Sequence, residues 1–111
     1  MTPTKAERAR FDAFQRIGCV ACHIEGLPVT FADVHHLLSG GRRRGHTHTI
    51  PLCPWHHRGM TTLISRAAAT IAFGPSLANG SKAFHARYGS DAELLALTEQ
   101  RIEQATKGVL P

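Results

Sequence analysis

Aromatic side chains are scarce in this chain, with one Trp, one Tyr and five Phe among 111 residues. Few large groups are therefore available to fill a core, and the length is that of one domain. No apolar run is long enough to span a bilayer. The charged segment Met1–Arg10 is followed by no hydrophobic stretch, so we expect no signal peptide, no membrane anchor and a cytoplasmic location. Cysteine occurs three times, an odd number that excludes a complete disulfide set. No repeat and no linker divides the sequence. Residues 1–111 read as one domain, with a compact centre over about 19–60 and a helical part over about 61–107.

What is present in excess is positive charge and histidine. Thirteen Lys and Arg stand against eight Asp and Glu, a formal net charge of +5. A basic balance favours polyanionic partners, chiefly nucleic acid. Six of the eight histidines fall between His35 and His57, in the company of Arg42, Arg43, Arg44 and Cys53. Upstream lies Cys19-Val-Ala-Cys22.

Local signals order the chain into elements. Thr4-Lys-Ala-Glu7 has the form of a capping box, Phe11, Phe14 and Ile17 follow at helical spacing, and Gly18 stops the helix. The Cys19–Cys22 segment reads as a turn. Thr30–His35 reads as a strand with partial alternation, Ser39–Gly45 as a Gly- and Arg-rich loop, and His48–Leu52 as a second strand. Pro51 places that second strand at an edge or at its end. Pro54 suits the first turn of a helix carrying Trp55, His56 and His57. Leu63, Ala67 and Ile71, spaced by four, predict a helix over 61–73. Ser81–Tyr88 reads as a short helix stopped by Gly89, and Ser90-Asp-Ala-Glu93 caps a last helix reaching about Thr106. The fold class is thus α+β.

Cys19 and Cys22 have knuckle spacing, and Cys53 with His56 repeats it. Two such half-sites close a Cys3His tetrahedron suited to Zn2+. Thiolates match a borderline-soft ion, and a reducing compartment keeps them available. His23, next to Cys22, competes as a ligand but reads better as a surface residue. Arg42, Arg43 and Arg44, in a glycine-flanked loop, offer guanidinium forks to phosphate oxygens, with Arg58 as a further contact. Asp33, two residues before His35, either orients a histidine or is a solvated charge. Trp55 reads as a core anchor.

The order of these parts resembles the HNH nuclease pattern of the ββα-metal fold. The match runs from Cys-x-x-Cys through a strand ending in His35-His36 and a Gly-rich loop to a short strand leading into Leu52-Cys53-x-x-His56-His57. Gly45-His46, Pro51-Leu52-Cys53 and the later Lys82-Ala-Phe84 and Ala86-Arg-Tyr-Gly89 resemble more closely the phage recombination-enhancement nucleases that act with the host RecA recombinase. The resemblance covers roughly residues 19–97 and implies a small zinc-stapled ββα-metal core with flanking N- and C-terminal helices. By that pattern His35 binds a catalytic divalent ion and His36 is the general base. Neighbours on a strict strand point to opposite faces, so both serve only if the backbone turns there. His56 and His57 lie about 100° apart around a helix. With His56 in the knuckle, His57 is left for the catalytic ion. His48 stands where the pattern has Asn, and His46 competes with it for the third ligand position. An imidazole-rich site favours zinc, nickel or cobalt over magnesium in binding; the catalytic ion implied is Zn2+, Mg2+, Mn2+ or Ni2+.

The implied function is metal-dependent DNA endonuclease activity with little sequence preference, acting on RecA-bound or displaced-strand DNA. Two rivals stand beside it. One is a zinc module that binds DNA without cutting it. The other is an HNH nicking or packaging enzyme independent of RecA. The sequence carries no sign of an oligomeric state.

Overall fold

A computed structural model describes residues 2–39, 42–43 and 45–108; of Ser39 and Arg43 it describes the backbone. Helix α1 spans Lys5–Ile17 and opens on the expected capping box. Glu7 N–H donates to the Thr4 hydroxyl at 3.1 Å, and Thr4 N–H donates to the Glu7 carboxylate at 2.7 Å. Its buried face is Ala13, Phe14 and Ile17. Gly18 ends it at φ 73°, where a Cβ would sit 2.9 Å from Val29 Cγ1, so that turn requires glycine. The Cys19–Cys22 segment is not a turn but the start of a short helix, α2, over Val20–Ile24.

Strand β1, Asp33–His36, pairs antiparallel with β4, Thr49–Leu52, in the register Asp33↔Leu52, Val34↔Pro51, His35↔Ile50 and His36↔Thr49. Pro51 is tolerated because a two-stranded ribbon leaves each strand an outer edge that needs no N–H donor. Between them, part of the expected loop is a small hairpin. Strand β2, Leu38–Ser39, pairs with β3, Arg42–Arg43. Helix α3, Pro54–Arg58, follows β4 directly, with Pro54 in its first turn and Gly59 in the left-handed region at its end.

The expected helix over 61–73 is shorter. Helix α4 spans Arg66–Phe73 and starts where Ser65 caps Ala68 N–H at 3.1 Å. Upstream, the Thr61 hydroxyl closes a turn on the Ile64 carbonyl. Leu63 and Ile71, read as one apolar stripe, are 94% and 88% exposed; the cap decides the start, and periodicity does not. A 3₁₀ turn over Leu77–Asn79 leads to α5, Ser81–Tyr88, and α6, Asp91–Thr106, opened by the Ser90–Glu93 capping box. α6 packs on α1 and β4, burying Leu94 and Thr98. Arg10 ties this side together: it pairs with Glu99 and donates to the Thr49 carbonyl at 2.6 Å. No helix is long and apolar enough to cross a membrane.

The core thus consists of Leu37, Ile50, Leu52, Phe84 and Leu94 clustered with the cysteines, together with Phe14 buried on α1. Phe14→Ala should destabilise the fold by about 3–5 kcal/mol. Leu63→Ser, on the exposed segment, should stay within about 0.5 kcal/mol. Urea midpoints of the two variants check both values, and equal midpoints would contradict this division of core from surface.

Candidate metal centre and histidine pairs

Both knuckles are built the same way. Cys19 is the N-cap of α2 and accepts Cys22 N–H at 3.4 Å; Cys53 is the N-cap of α3 and accepts His56 N–H at 3.4 Å. A sulfur thus replaces the usual capping oxygen, and the second ligand sits on the third helical residue, aimed to the same side. The two helices bring Cys19, Cys22, Cys53 and His56 together, all buried, with ligand atoms within 4.8 Å of one another.

His56 Nδ1 lies 3.5, 3.5 and 3.2 Å from the sulfurs of Cys19, Cys22 and Cys53, and the Cys22 and Cys53 sulfurs are 3.7 Å apart. Metal–sulfur bonds of about 2.3 Å and metal–nitrogen bonds of about 2.0–2.1 Å give tetrahedral edges of about 3.8 Å (S–S) and about 3.5–3.6 Å (S–N). The donor set therefore fits a zinc-sized ion in both chemistry and size. It does not fit a disulfide, which needs sulfurs about 2.05 Å apart.

Electrostatics agree with a cation at this position. Burial and the neighbouring sulfurs push the Cys19 thiol up, while contacts from Cys19 and Cys22 hold Cys53 down. Burial opposes charge on His56, but the sulfurs of Cys22 and Cys53 outweigh it and raise the imidazole to about 9. A proton and a metal ion thus compete for one Nδ1 lone pair. The Thr30 hydroxyl adds a donor to Cys22 Sγ at 3.7 Å. His23 is exposed on α2 and stands outside the group.

Four further histidines, His35 with His57 and His36 with His46, fall on two sides of β1, as strand alternation dictates. Asp33 and His35 share one side. His57, turned away from the staple, meets them there. Its ring lies 5.0 Å from that of His35, and its Nδ1 is 3.1 Å from Asp33 Oδ2. Arg58 Nε donates to the same carboxylate oxygen at 2.8 Å. Asp33 is therefore not merely a solvated charge. His35 is held down to about 4, first by burial and then by the charge of His57, with Asp91 opposing and His36 and His85 adding smaller effects. Near pH 7 it is a neutral imidazole with a lone pair. His85 Nε2 lies 3.5 Å from Asp91.

On the other side, His36 Nε2 lies 3.0 Å from His46 Nδ1, and His46 stacks edge-on against Phe11 at 5.6 Å. The backbone does not turn between His35 and His36: His36 still pairs with Thr49, and Leu37 N–H donates to the His48 carbonyl. The adjacent histidines thus have different partners. Among the described residues, His48 Nδ1 meets the neighbouring Thr47 hydroxyl, at 3.3 Å. Arg42 is exposed on the hairpin, Arg43 pairs through its backbone with Leu38, and Arg44 lies outside the described residues. Trp55 is a buried anchor whose indole N–H donates to the Gly74 carbonyl at 3.0 Å.

Sequence reasoning left Asp33 undecided and missed Glu25 and Tyr88, which stand behind the staple. Asp33 had a signal, since residues two apart on a strand share a face. The other two had none. A family model described as "Recombination enhancement, RecA-dependent nuclease" matches residues 3–103, from before α1 into α6.

With so small a core, metal binding energy is folding energy. Cys22→Ala or Cys53→Ala should therefore lose the ion and yield an unfolded or aggregating chain. Elemental analysis and far-UV circular dichroism read this directly. A Cys22→Ala protein melting like wild type would remove the staple as a structural element.

Proposed function

This chain belongs to the recombination-enhancement, RecA-dependent nuclease family, and from that premise we propose that it is a metal-dependent DNA endonuclease of the HNH, ββα-metal type. The observation that carries this reading is the β1–β4–α3 unit. In it His35 and His57 face each other 5.0 Å apart, beside a Cys3His group sized for Zn2+. The His35 and His57 imidazoles would hold a second divalent ion (Zn2+, Ni2+, Mn2+ or Mg2+). Two protein ligands would leave room for water and a phosphate oxygen beside them. Asp33 accepts the Nδ1 proton of His57, which fixes its tautomer and turns the Nε2 lone pair outward. When bound, the ion supplies Lewis-acid stabilisation of the phosphate and of the leaving oxygen.

The chain's own residues do the rest. The family pattern makes His36 the general base, but β1 does not turn at His35-His36, so His36 and His46, 3.0 Å apart, stand across the strand from the His35–His57 pair and serve the same water only if β1 turns when DNA binds. On this reading His46 orients the base and is not a third ligand, and His48 stands apart. Arg42, Arg43 and Arg44 hold phosphates on either side of the cut, and such contacts position DNA without reading bases. Arg58 joins them while held by Asp33. On this reading the substrate is DNA engaged by a RecA filament, a proposal that the words "RecA-dependent nuclease" in the family description support. Cleavage of RecA-coated and bare DNA, compared directly, tests that part. Equal cutting of bare duplex would favour a RecA-independent nicking enzyme, and binding without cutting would favour a DNA-binding zinc module.

His36→Ala should keep the fold and the structural ion but lose at least ~100-fold in cleavage, the low end of general acid–base help. His57→Ala should lose cleavage together with one bound divalent ion. If His36→Ala cuts as well as wild type, the base is another residue.

Changing Arg42, Arg43 and Arg44 together to Ala should weaken binding to all sequences equally. It should flatten the slope of log affinity against log salt by roughly 0.7 to 0.9 for each phosphate the hairpin no longer neutralises. Metal content should not change. A salt slope equal to wild type would remove the hairpin from the DNA interface.

A further inference from the structure

The ring of His56 has two ends, and only Nδ1 faces the sulfurs. Nε2 points into the C-terminal half of the chain. There it lies 2.8 Å from the Phe73 carbonyl and 3.2 Å from the Tyr88 hydroxyl. A carbonyl only accepts, so Nε2 carries the proton and Nδ1 the lone pair, which is the tautomer a metal ligand needs. The Tyr88 hydroxyl has one proton of its own, and its shortest acceptor is Glu25 Oε2 at 2.7 Å. The phenol oxygen therefore offers a lone pair to the Nε2–H. Glu25 is in turn held by Arg87, which donates to the other carboxylate oxygen at 2.8 Å.

Four segments meet in this chain of hydrogen bonds. Glu25 ends α2, the helix of the first knuckle, and His56 belongs to the second. Phe73 closes α4, and Tyr88 closes α5. The crossing is tight. A Cβ on Gly74, whose φ is 92°, would lie 2.0 Å from the Tyr88 oxygen and 2.3 Å from Glu25 Oε2. Only glycine lets the phenol and the carboxylate meet there. The Tyr88 ring itself is packed by Phe84, with centroids 4.9 Å apart, independently of its hydroxyl.

We propose that Tyr88 and Glu25 are positioning residues for the Cys3His ion, acting through His56 so that metal uptake and docking of the C-terminal helices are one event. The hydroxyl and carboxylate lock the imidazole with Nδ1 toward the sulfurs. In return, a filled site holds His56 where Phe73 and Tyr88 can bond to it. Groups that orient a ligand histidine in this way typically carry about 10–100-fold in metal affinity.

The full chain loaded with Co2+ gives the test, since the intensity of its visible and thiolate charge-transfer bands reports four-coordinate Cys3His binding. Tyr88→Phe keeps the ring and its packing. Its Co2+ affinity, measured by competition with a chelator, should fall by about 10–100-fold, and chelator should release the C-terminal helices at lower concentration. Glu25→Gln should weaken Co2+ similarly. The double variant should be little worse than either single change, because the two act as one unit. Wild-type Co2+ affinity in Tyr88→Phe would overturn the proposal and leave Tyr88 a packing residue. Should Tyr88→Phe fail to fold, Glu25→Gln decides on the same reading: unchanged affinity there overturns it. Neither outcome depends on DNA cleavage, so the inference stands or falls apart from the proposed nuclease mechanism.

Discussion

Four donor atoms gathered inside a domain with few aromatics set the terms for everything around them. Cys19, Cys22, Cys53 and His56 are buried to within a few per cent of complete exclusion. Such a group is stable only if its negative charge is matched. Structural zinc contributes about 10–16 kcal/mol in small domains, against a typical net stability of about 5–15 kcal/mol. An ion bound there would contribute about as much as the whole net stability of a typical domain. The apolar side chains packed around the cysteines, Leu52, Trp55 and Phe84 among them, are arranged about the ion's site as much as about one another.

The staple also aims the site. His56 and His57 are neighbours on α3, separated by about 100° around the axis. Once His56 is turned into the sulfurs, His57 is turned toward β1, where Asp33 receives it at 3.1 Å. A rotation of α3 that loosened the knuckle would swing His57 away from His35. The same constraint keeps Arg58, the next residue, on Asp33. One carboxylate thus holds two consecutive helical residues, and only a helix fixed at its N-cap by Cys53 can present both.

Much of this is legible from sequence because it is local. The boxes at Thr4–Glu7 and Ser90–Glu93, the stops at Gly18 and Gly89, and the two knuckles are each decided within a few residues, and the structure has each of them. What was not legible is decided at a distance. The β2–β3 hairpin depends on pairing across the glycines of an apparent loop. The apolar spacing of Leu63, Ala67 and Ile71 looked helical. A stripe becomes a packing face only when something covers it, and Leu63 and Ile71 are left exposed. The bond from Tyr88 to Glu25 spans 63 residues, and no spacing rule reaches that far. Asp33 lay between these cases. Its face was readable from alternation with His35, but its partner on α3 was not.

The two sides of β1 explain why one short ribbon carries so many histidines. Alternation sends His35 toward α3 and His36 toward α1, so neighbours in sequence join different pairs. His35 meets His57, and His36 meets His46. Both partners come from the stretch between His46 and Arg58, which runs through β4 into α3 and is pinned in its middle by Cys53 and His56. The environments then differentiate the pairs. Burial beside His57 keeps His35 neutral, held near 4, which suits a ligand whose lone pair must be available at neutral pH. The pair at His36 lies nitrogen to nitrogen, an arrangement in which one ring holds the other's tautomer. A single segment pinned at the Cys3His group thus sets the geometry of both pairs, and β1 needs only its ordinary pleat to keep them apart.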